Sequence, residues 1–225
     1  WYIDLRADRH DVSLLRGLLS EDEIARADRF LRAEHGQRFS LGRGALRSIL
    51  GLYTGVDAQA LGFIYNDFGK PALVAEHNHL SLVFNVSHTG THAVVAVSLH
   101  ASVGIDIERY RESLDLKKLA QRYFASAEVE RLVALPESRR EEAFYRCWSS
   151  KEAFIKLCGQ GLSIGLQNFE VEVDPDRTPA ILRAPGVLVS KGPWVCTAMP
   201  MEEGISGVLV VEGCLEQVRY YQYSI

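Results

Sequence analysis

Apolar residues recur along this chain at two spacings, and each spacing predicts its own kind of element. Ser20-Glu21-Asp22-Glu23 has the form of a capping box, with Ser20 as N-cap and Glu23 at the third helical position. Ile24, Ala27, Phe30 and Leu31 follow at helical spacing, and Phe39, Leu41, Ala45, Leu46, Ile49 and Leu50 predict a second helix. Residues 116–124 and 126–135 predict two more, the latter ended by Pro136. The strongest helical pattern covers 141–157. Phe144, Cys147, Phe154, Ile155 and Cys158 make one broad apolar side, while Trp148, Glu152 and Lys156, four apart, share another face. Strand-like runs occupy 1–5, 63–65, 81–90, 93–97, 103–108, 168–173, 181–182, 195–198 and 208–211. Residues 66–71 form a turn cluster of Asn, Asp, Gly and Pro. The polar stretch 111–115 divides the chain into halves 1–110 and 111–225, each mixing helices with strands. No convincing sequence repeat links the halves.

The stretch Val103-Gly104-Ile105-Asp106-Ile107-Glu108 organises the rest. Strand side chains alternate faces, so Asp106 and Glu108 point one way and Ile105 and Ile107 the other. Two adjacent carboxylates repel unless a cation sits between them. Two hard oxygen ligands on one face suit Mg²⁺, which commonly takes one or two carboxylates plus substrate phosphates. The same residues equally describe an edge strand with a solvated acidic face. Other clusters stay open in the same way. Arg43 and Arg47 share a helix face, basic but ordinary if solvated. Gly69 and Lys70 fit a ligand-facing loop or a plain turn. Ser87, His88 and Thr89 end a strand with groups that suit phosphate oxygens. A Glu–Lys pair spaced like Glu152 and Lys156 also serves helix stability alone, worth about 0.2–0.5 kcal/mol.

Composition removes several classes. The 225 residues are 47% hydrophobic and 24% charged, an ordinary globular mix. A net charge of −4 argues against general binding to nucleic acid or a membrane surface. No apolar stretch approaches the roughly 18 residues of a membrane span. The opening Trp-Tyr-Ile-Asp-Leu-Arg reads as a strand and not a signal peptide. Cys147, Cys158, Cys196 and Cys214 are scattered without a Cys-x-x-Cys pair, which predicts reduced thiols in a cytoplasmic protein.

Gly104-Ile105-Asp106-x-Glu108 is followed by Phe144-Tyr145-x-x-Trp148-x-x-Lys151-Glu152-Ala153-x-x-Lys156. This ordered pair resembles the 4′-phosphopantetheinyl transferases of the surfactin-synthetase-activating type. Gly69-Lys70-Pro71, Phe84-Asn85-Val86-Ser87-His88 and Gly161-Leu162-Ser163 fall in the same family order. The resemblance spans about 38 to 169. It implies transfer of phosphopantetheine from the co-substrate coenzyme A to a serine of an acyl or peptidyl carrier protein, releasing adenosine 3′,5′-bisphosphate. It also implies an α/β (α+β) pseudodimer, two similar halves with the active site in the cleft between them, working as a monomer.

On this resemblance Asp106, Glu108 and Glu152 are the expected Mg²⁺ ligands, and Glu152 the expected general base. Lys156 and Lys151 are expected to neutralise phosphate charge. Arg43, Ser87 and His88 are expected to hold the coenzyme A phosphates, with Gly69, Lys70 and Pro71 bordering the adenine. A basic patch of Lys117, Lys118 and Arg122 is the candidate surface for an acidic carrier. Two other readings remain open: another Mg²⁺ enzyme acting on a nucleotide pyrophosphate, and a non-catalytic coenzyme A-binding protein.

Overall fold

The computed structural model describes residues 1–184, 186 and 192–224. Its first half runs β1 (Tyr2–Asp4), α1 (Val12–Gly17), α2 (Glu21–Asp28), α3 (Ala33–Thr54), β2 (Phe63–Tyr65), β3 (Pro71–Leu73), β4 (Leu82–Thr89) and β5 (His92–Leu99). The second half repeats that order among the described residues. It runs β6 (Val103–Arg109), α4 (Leu116–Tyr123), α5 (Ser126–Ala134), α6 (Glu137–Cys158), β7 (Glu170–Val171), β8 (Ile181–Arg183), β9 (Trp194–Ala198) and β10 (Ile205–Glu212). Each half builds one antiparallel three-stranded sheet with its first strand beside its last, β1-β5-β4 and β6-β10-β9. Each adds a small hairpin, β2–β3 or β7–β8. The expected pseudodimer is therefore present. The boundary expected at Arg111 moves ahead of β6, because β6 pairs with β10 in the second sheet.

Helices α3 and α6 are 22 residues each, and both end at a left-handed glycine, Gly55 and Gly159. Each lays its apolar side on its own sheet. Leu41, Ala45 and Ile49 meet Ile3, Phe84 and Val95; Ala143, Cys147 and Phe154 meet Val208 and Val210. A third cluster, Val94 with Ile105, Ile107 and Leu209, fills the seam between the sheets.

The duplication reaches individual ion pairs. Arg47 and Lys151 stand equally far before the glycines that close their helices. Arg47 donates to Glu23 at 2.6 Å and to the carbonyls of Ala58 and Leu61 at 2.9 Å. Lys151 donates to Glu128 at 2.7 Å and to the carbonyls of Leu166 and Phe169 at 2.7 and 2.8 Å. Glu23 and Glu128 each also accept a backbone N–H at the start of their own helices, from Ser20 and Ala125. In both halves one buried pair thus ties the second helix, the long helix and the segment leaving it.

The sheets meet through edge strands β4 and β6. Edge strands carry unpaired N–H and C=O groups that need cover. Here alternate side chains of β4 supply it: Asn85 Oδ1 accepts from Ile105 N at 2.9 Å, Ser87 Oγ from Ile107 N at 3.2 Å and Thr89 Oγ1 from Arg109 N at 3.1 Å. The chain end crosses back to the first half, where Tyr2 N donates to Tyr221 O and Tyr223 N to Tyr2 O, both at 2.8 Å.

Candidate active site

A charge cluster forms where β4, β6 and α6 meet, and Gly104 permits it. A Cβ there would lie 2.0 Å from Ala153 O and 2.4 Å from Leu157 N, so α6 rests directly on the β6 backbone. Two residues on, Asp106 points the same way and meets Lys156. Lys156 Nζ donates to Asp106 Oδ1 at 2.8 Å and to Ser87 Oγ at 2.9 Å. The Ser87 hydroxyl donates to the same Asp106 Oδ1 at 2.9 Å. Asp106 is 4% exposed, and its Oδ2 is buried without a partner. A buried polar atom left unpaired costs about 1–3 kcal/mol.

Glu108 and Glu152 share the electrostatics of the cluster. Burial first, and repulsion from Asp106 next, raises the pKa of each above the usual carboxylate range. Arg111 and Lys156 offset part of this for Glu108, and Lys156 for Glu152. Among the described residues, no three His, Cys, Asp or Glu side chains are gathered as a preformed metal centre. The donor chemistry nevertheless fits a hard divalent ion. All three carboxylates offer oxygen, one buried oxygen is orphaned, and a cation would relieve the shared repulsion.

A cleft of about 280 Å³ adjoins the cluster, between the β2–β3 turn and β4 on one side and α6 on the other. Gly69, Lys70 and Pro71 line it together with Glu152 and Lys156. Asn66 shapes that turn. Its Oδ1 accepts from Phe68 N at 3.0 Å and Lys70 N at 2.9 Å, and its Nδ2 donates across to Gly159 O at 2.7 Å. Lys70 Nζ donates to Leu157 O at 3.1 Å, and burial lowers its pKa. His88 lies at the outer end of β4. Desolvation first, and the Lys156 charge second, lowers its pKa.

Three expected site residues are placed differently. Lys151 is completely buried on the far side of α6, its ammonium shared among Glu128 and two carbonyls, so it does not reach the cleft. The Ser87 hydroxyl is engaged on every side. A hydroxyl has one donor and two acceptor sites, and Asp106, Lys156 and Ile107 N take them all. Arg43 is largely buried, paired with Glu23, lying 4.0 Å over the Phe63 ring and donating to Tyr65 Oη at 2.7 Å. It stands behind the β2–β3 hairpin and not among the residues lining the cleft.

Sequence reasoning missed Asn66, Asn85, Glu128 and Arg111. A visible signal existed for Asn85, since Asn85, Ser87 and Thr89 alternate polar groups along an otherwise apolar strand. Glu128 also had one, because it repeats Glu23 at the third position of a helix.

Residues 6–100 match the family described as 4′-phosphopantetheinyl transferase, N-terminal, and residues 102–198 the 4′-phosphopantetheinyl transferase superfamily. The 4′-phosphopantetheinyl transferase HetI of Nostoc sp. is 35% identical over 223 residues, covering 99% of this chain and 91% of that protein. The 4′-phosphopantetheinyl transferase psf-1 of Bacillus pumilus is 35% identical, covering 81% and 76%. The 4′-phosphopantetheinyl transferase Sfp of Bacillus subtilis is 30% identical, covering 78% and 75%. Among solved structures, the holo-[acyl-carrier-protein] synthase of Neisseria meningitidis aligns with 50% of this chain at 19% identity and a TM-score of 0.42, a likeness too slight to bear on the fold.

Proposed function

This chain belongs to the 4′-phosphopantetheinyl transferase superfamily, and from that membership we propose how its side chains carry phosphopantetheine from coenzyme A to the serine of an apo acyl or peptidyl carrier protein. The observation behind the reading is Asp106 Oδ2, buried and unpartnered beside Glu108, Glu152 and Lys156 at the edge of the cleft. Asp106, Glu108 and Glu152 are the residues that would hold Mg²⁺, which when bound supplies Lewis-acid charge at the pyrophosphate.

The remaining work belongs to the chain. The carrier serine oxygen bonds to the β-phosphorus of coenzyme A as the bond to adenosine 3′,5′-bisphosphate breaks. Negative charge grows on the phosphoryl and leaving oxygens, so positioned positive groups lower the barrier. Lys156 is one: its side chain is 28% exposed and lines the cleft. Glu152 takes the serine proton, directly or through a water. His88 holds coenzyme A phosphate, and Gly69, Lys70 and Pro71 border the adenine. Arg43 reaches the coenzyme only by exchanging Tyr65 for a phosphate.

Among the described residues no helix is long and apolar enough to cross a membrane, and none of the four cysteines is in a disulfide. Reduced thiols suit the cytoplasm, where we place the enzyme. The two halves already enclose the cleft, so it acts as a monomer.

Mass spectrometry of apo carrier proteins incubated with the enzyme, coenzyme A and Mg²⁺ tests the reaction. The serine should gain a phosphopantetheine mass while adenosine bisphosphate is released. Coenzyme A consumed with every carrier unmodified would instead indicate pyrophosphate chemistry, and coenzyme A bound but unconsumed a binding protein.

A further inference from the structure

The polar side chains of β4 repeat one pattern twice. Ser87 Oγ accepts from the N–H of Ile107 and donates to the carboxylate of Asp106, the residue before it. Thr89 Oγ1 accepts from the N–H of Arg109 at 3.1 Å and donates to the carboxylate of Glu108, again the residue before. Ser87 thus fixes both the β6 backbone and one carboxylate oxygen, while Thr89 fixes the backbone and faces Glu108 Oε2. Ser87 takes Asp106 Oδ1 and leaves Oδ2 buried and free. Thr89 takes Glu108 Oε2 and leaves Oε1. The two contacts differ in quality: Ser87 is 2.9 Å from its carboxylate, while Thr89 is 3.5 Å from its own, long for an O–H···O bond. Asn85 makes the same backbone rung to Ile105, but there the preceding residue is Gly104, with no carboxylate to hold.

We propose that Ser87 and Thr89 are positioning residues for the divalent-cation site: each turns one carboxylate of β6 so that a single oxygen is presented to the ion. Neither hydroxyl touches coenzyme A in this role. The inference rests on the assignment of Asp106 and Glu108 as cation ligands given above. Groups that hydrogen-bond to metal-binding carboxylates typically change metal affinity or activity by about 10–100-fold when removed. The geometry ranks the effects, since Ser87 is closer and its carboxylate more deeply buried. Ser87→Ala should therefore cost more affinity than Thr89→Ala. Thr89→Ser keeps the hydroxyl and should restore binding.

The Asn85 rung separates this from simple loss of the seam between the sheets. Asn85→Ala removes a backbone hydrogen bond of the same kind, so it should lower Tm without weakening the cation.

The experiment is Mg²⁺ titration by calorimetry with the full chain at saturating coenzyme A, alongside thermal melts without metal. Wild type, Ser87→Ala, Thr89→Ala, Thr89→Ser, Asn85→Ala and Asp106→Asn are compared. The expected result is a Mg²⁺ Kd raised roughly 10–100-fold in Ser87→Ala, less in Thr89→Ala, and near wild type in Thr89→Ser and Asn85→Ala. Wild type binding with Ser87→Ala unchanged overturns the positioning role and leaves the cation site standing. Equal losses in Ser87→Ala and Asn85→Ala also overturn it, since the rung alone would then account for the effect. Asp106→Asn binding as tightly as wild type overturns the cation assignment itself, and the positioning role with it.

Discussion

Burying an ammonium costs several kcal/mol unless it is paired and hydrogen-bonded, and Lys151 has Glu128, Leu166 O and Phe169 O around it. Removing one member of such a pair strands the other charge. Lys151→Ala should therefore lose about 3–5 kcal/mol of stability, while turnover per folded molecule stays close to wild type. Urea unfolding together with active-site-normalised turnover checks this; full stability with collapsed turnover would return Lys151 to the chemistry. Its neighbour Glu152 should show the opposite pattern. Glu152→Gln keeps the shape but takes no proton, so turnover at saturating Mg²⁺ and coenzyme A should fall about 10²–10⁴-fold with Tm nearly unchanged. A drop below roughly tenfold removes Glu152 as the base. At this scale Asp106 and Glu108 were legible because strand alternation alone puts them on one face. Lys151 was not, because a lysine inside a functional-looking motif carries no mark of its burial. Its kinship with Arg47 shows only once both helices are aligned on their closing glycines.

The long helices were legible as elements but not in their extents. α6 starts at Glu137, and its first turns are charged and show no apolar period. α1 (Val12–Gly17) buries only Leu15 and gave no pattern. What matters for the site is how closely α6 sits on β6, and one glycine decides that. Gly104→Ala places a methyl against backbone atoms of Ala153 and Leu157, which cannot rotate away. Overpacking of this kind costs about 1–3 kcal/mol. The displaced helix carries Glu152 and Lys156, so turnover should fall along with Tm. Gly17→Ala, where a Cβ would meet nothing within 4 Å, serves as the control and should melt no lower than wild type. If Gly104→Ala melts and turns over like Gly17→Ala, the close approach is not what sets the site. On α4 (Leu116–Tyr123), Lys117 and Lys118 belong to the proposed carrier surface. Lys118 already pairs with Asp115 at 2.9 Å, so Lys117 carries more of the free charge. Lys117→Glu should raise KM for the carrier at low salt and leave coenzyme A affinity alone. An unchanged carrier KM at low salt discards this patch.

Two halves of like topology raise the question of why one cleft carries the chemistry. Aligning Ile3-Asp4 of β1 with Ile105-Asp106 of β6 sets Arg6 against Glu108, and the closing glycines set Ser48 against Glu152 and Leu52 against Lys156. In the first half Asp4 is thus neutralised by Arg6, and at those two helix positions Ser48 and Leu52 offer neither a base nor a cation. What the halves still share is the buried ion pair, Glu23–Arg47 in one and Glu128–Lys151 in the other. Sequence comparison of the halves could not show this, because one pair uses Arg and the other Lys on otherwise divergent helices. The first-half pair should set how the whole molecule responds to acid. Burial pushes the Glu23 pKa up, but Arg47 and Arg43 outweigh it and hold it below its ordinary value of 4.5. A carboxylate whose pKa is depressed in the fold gives its stabilisation in full above the unfolded value and loses it as pH falls through the folded one. Glu23→Gln leaves Arg47 buried beside a neutral partner, so at pH 7 it should be about 3–5 kcal/mol less stable than wild type. That gap should hold down to about pH 5 and then narrow as the wild-type carboxylate is protonated below 4.5. Urea unfolding of both proteins from pH 7 to pH 3 measures it. A gap that stays constant across the range, or widens on acidification, would mean that Glu23 is not held ionised by the two arginines.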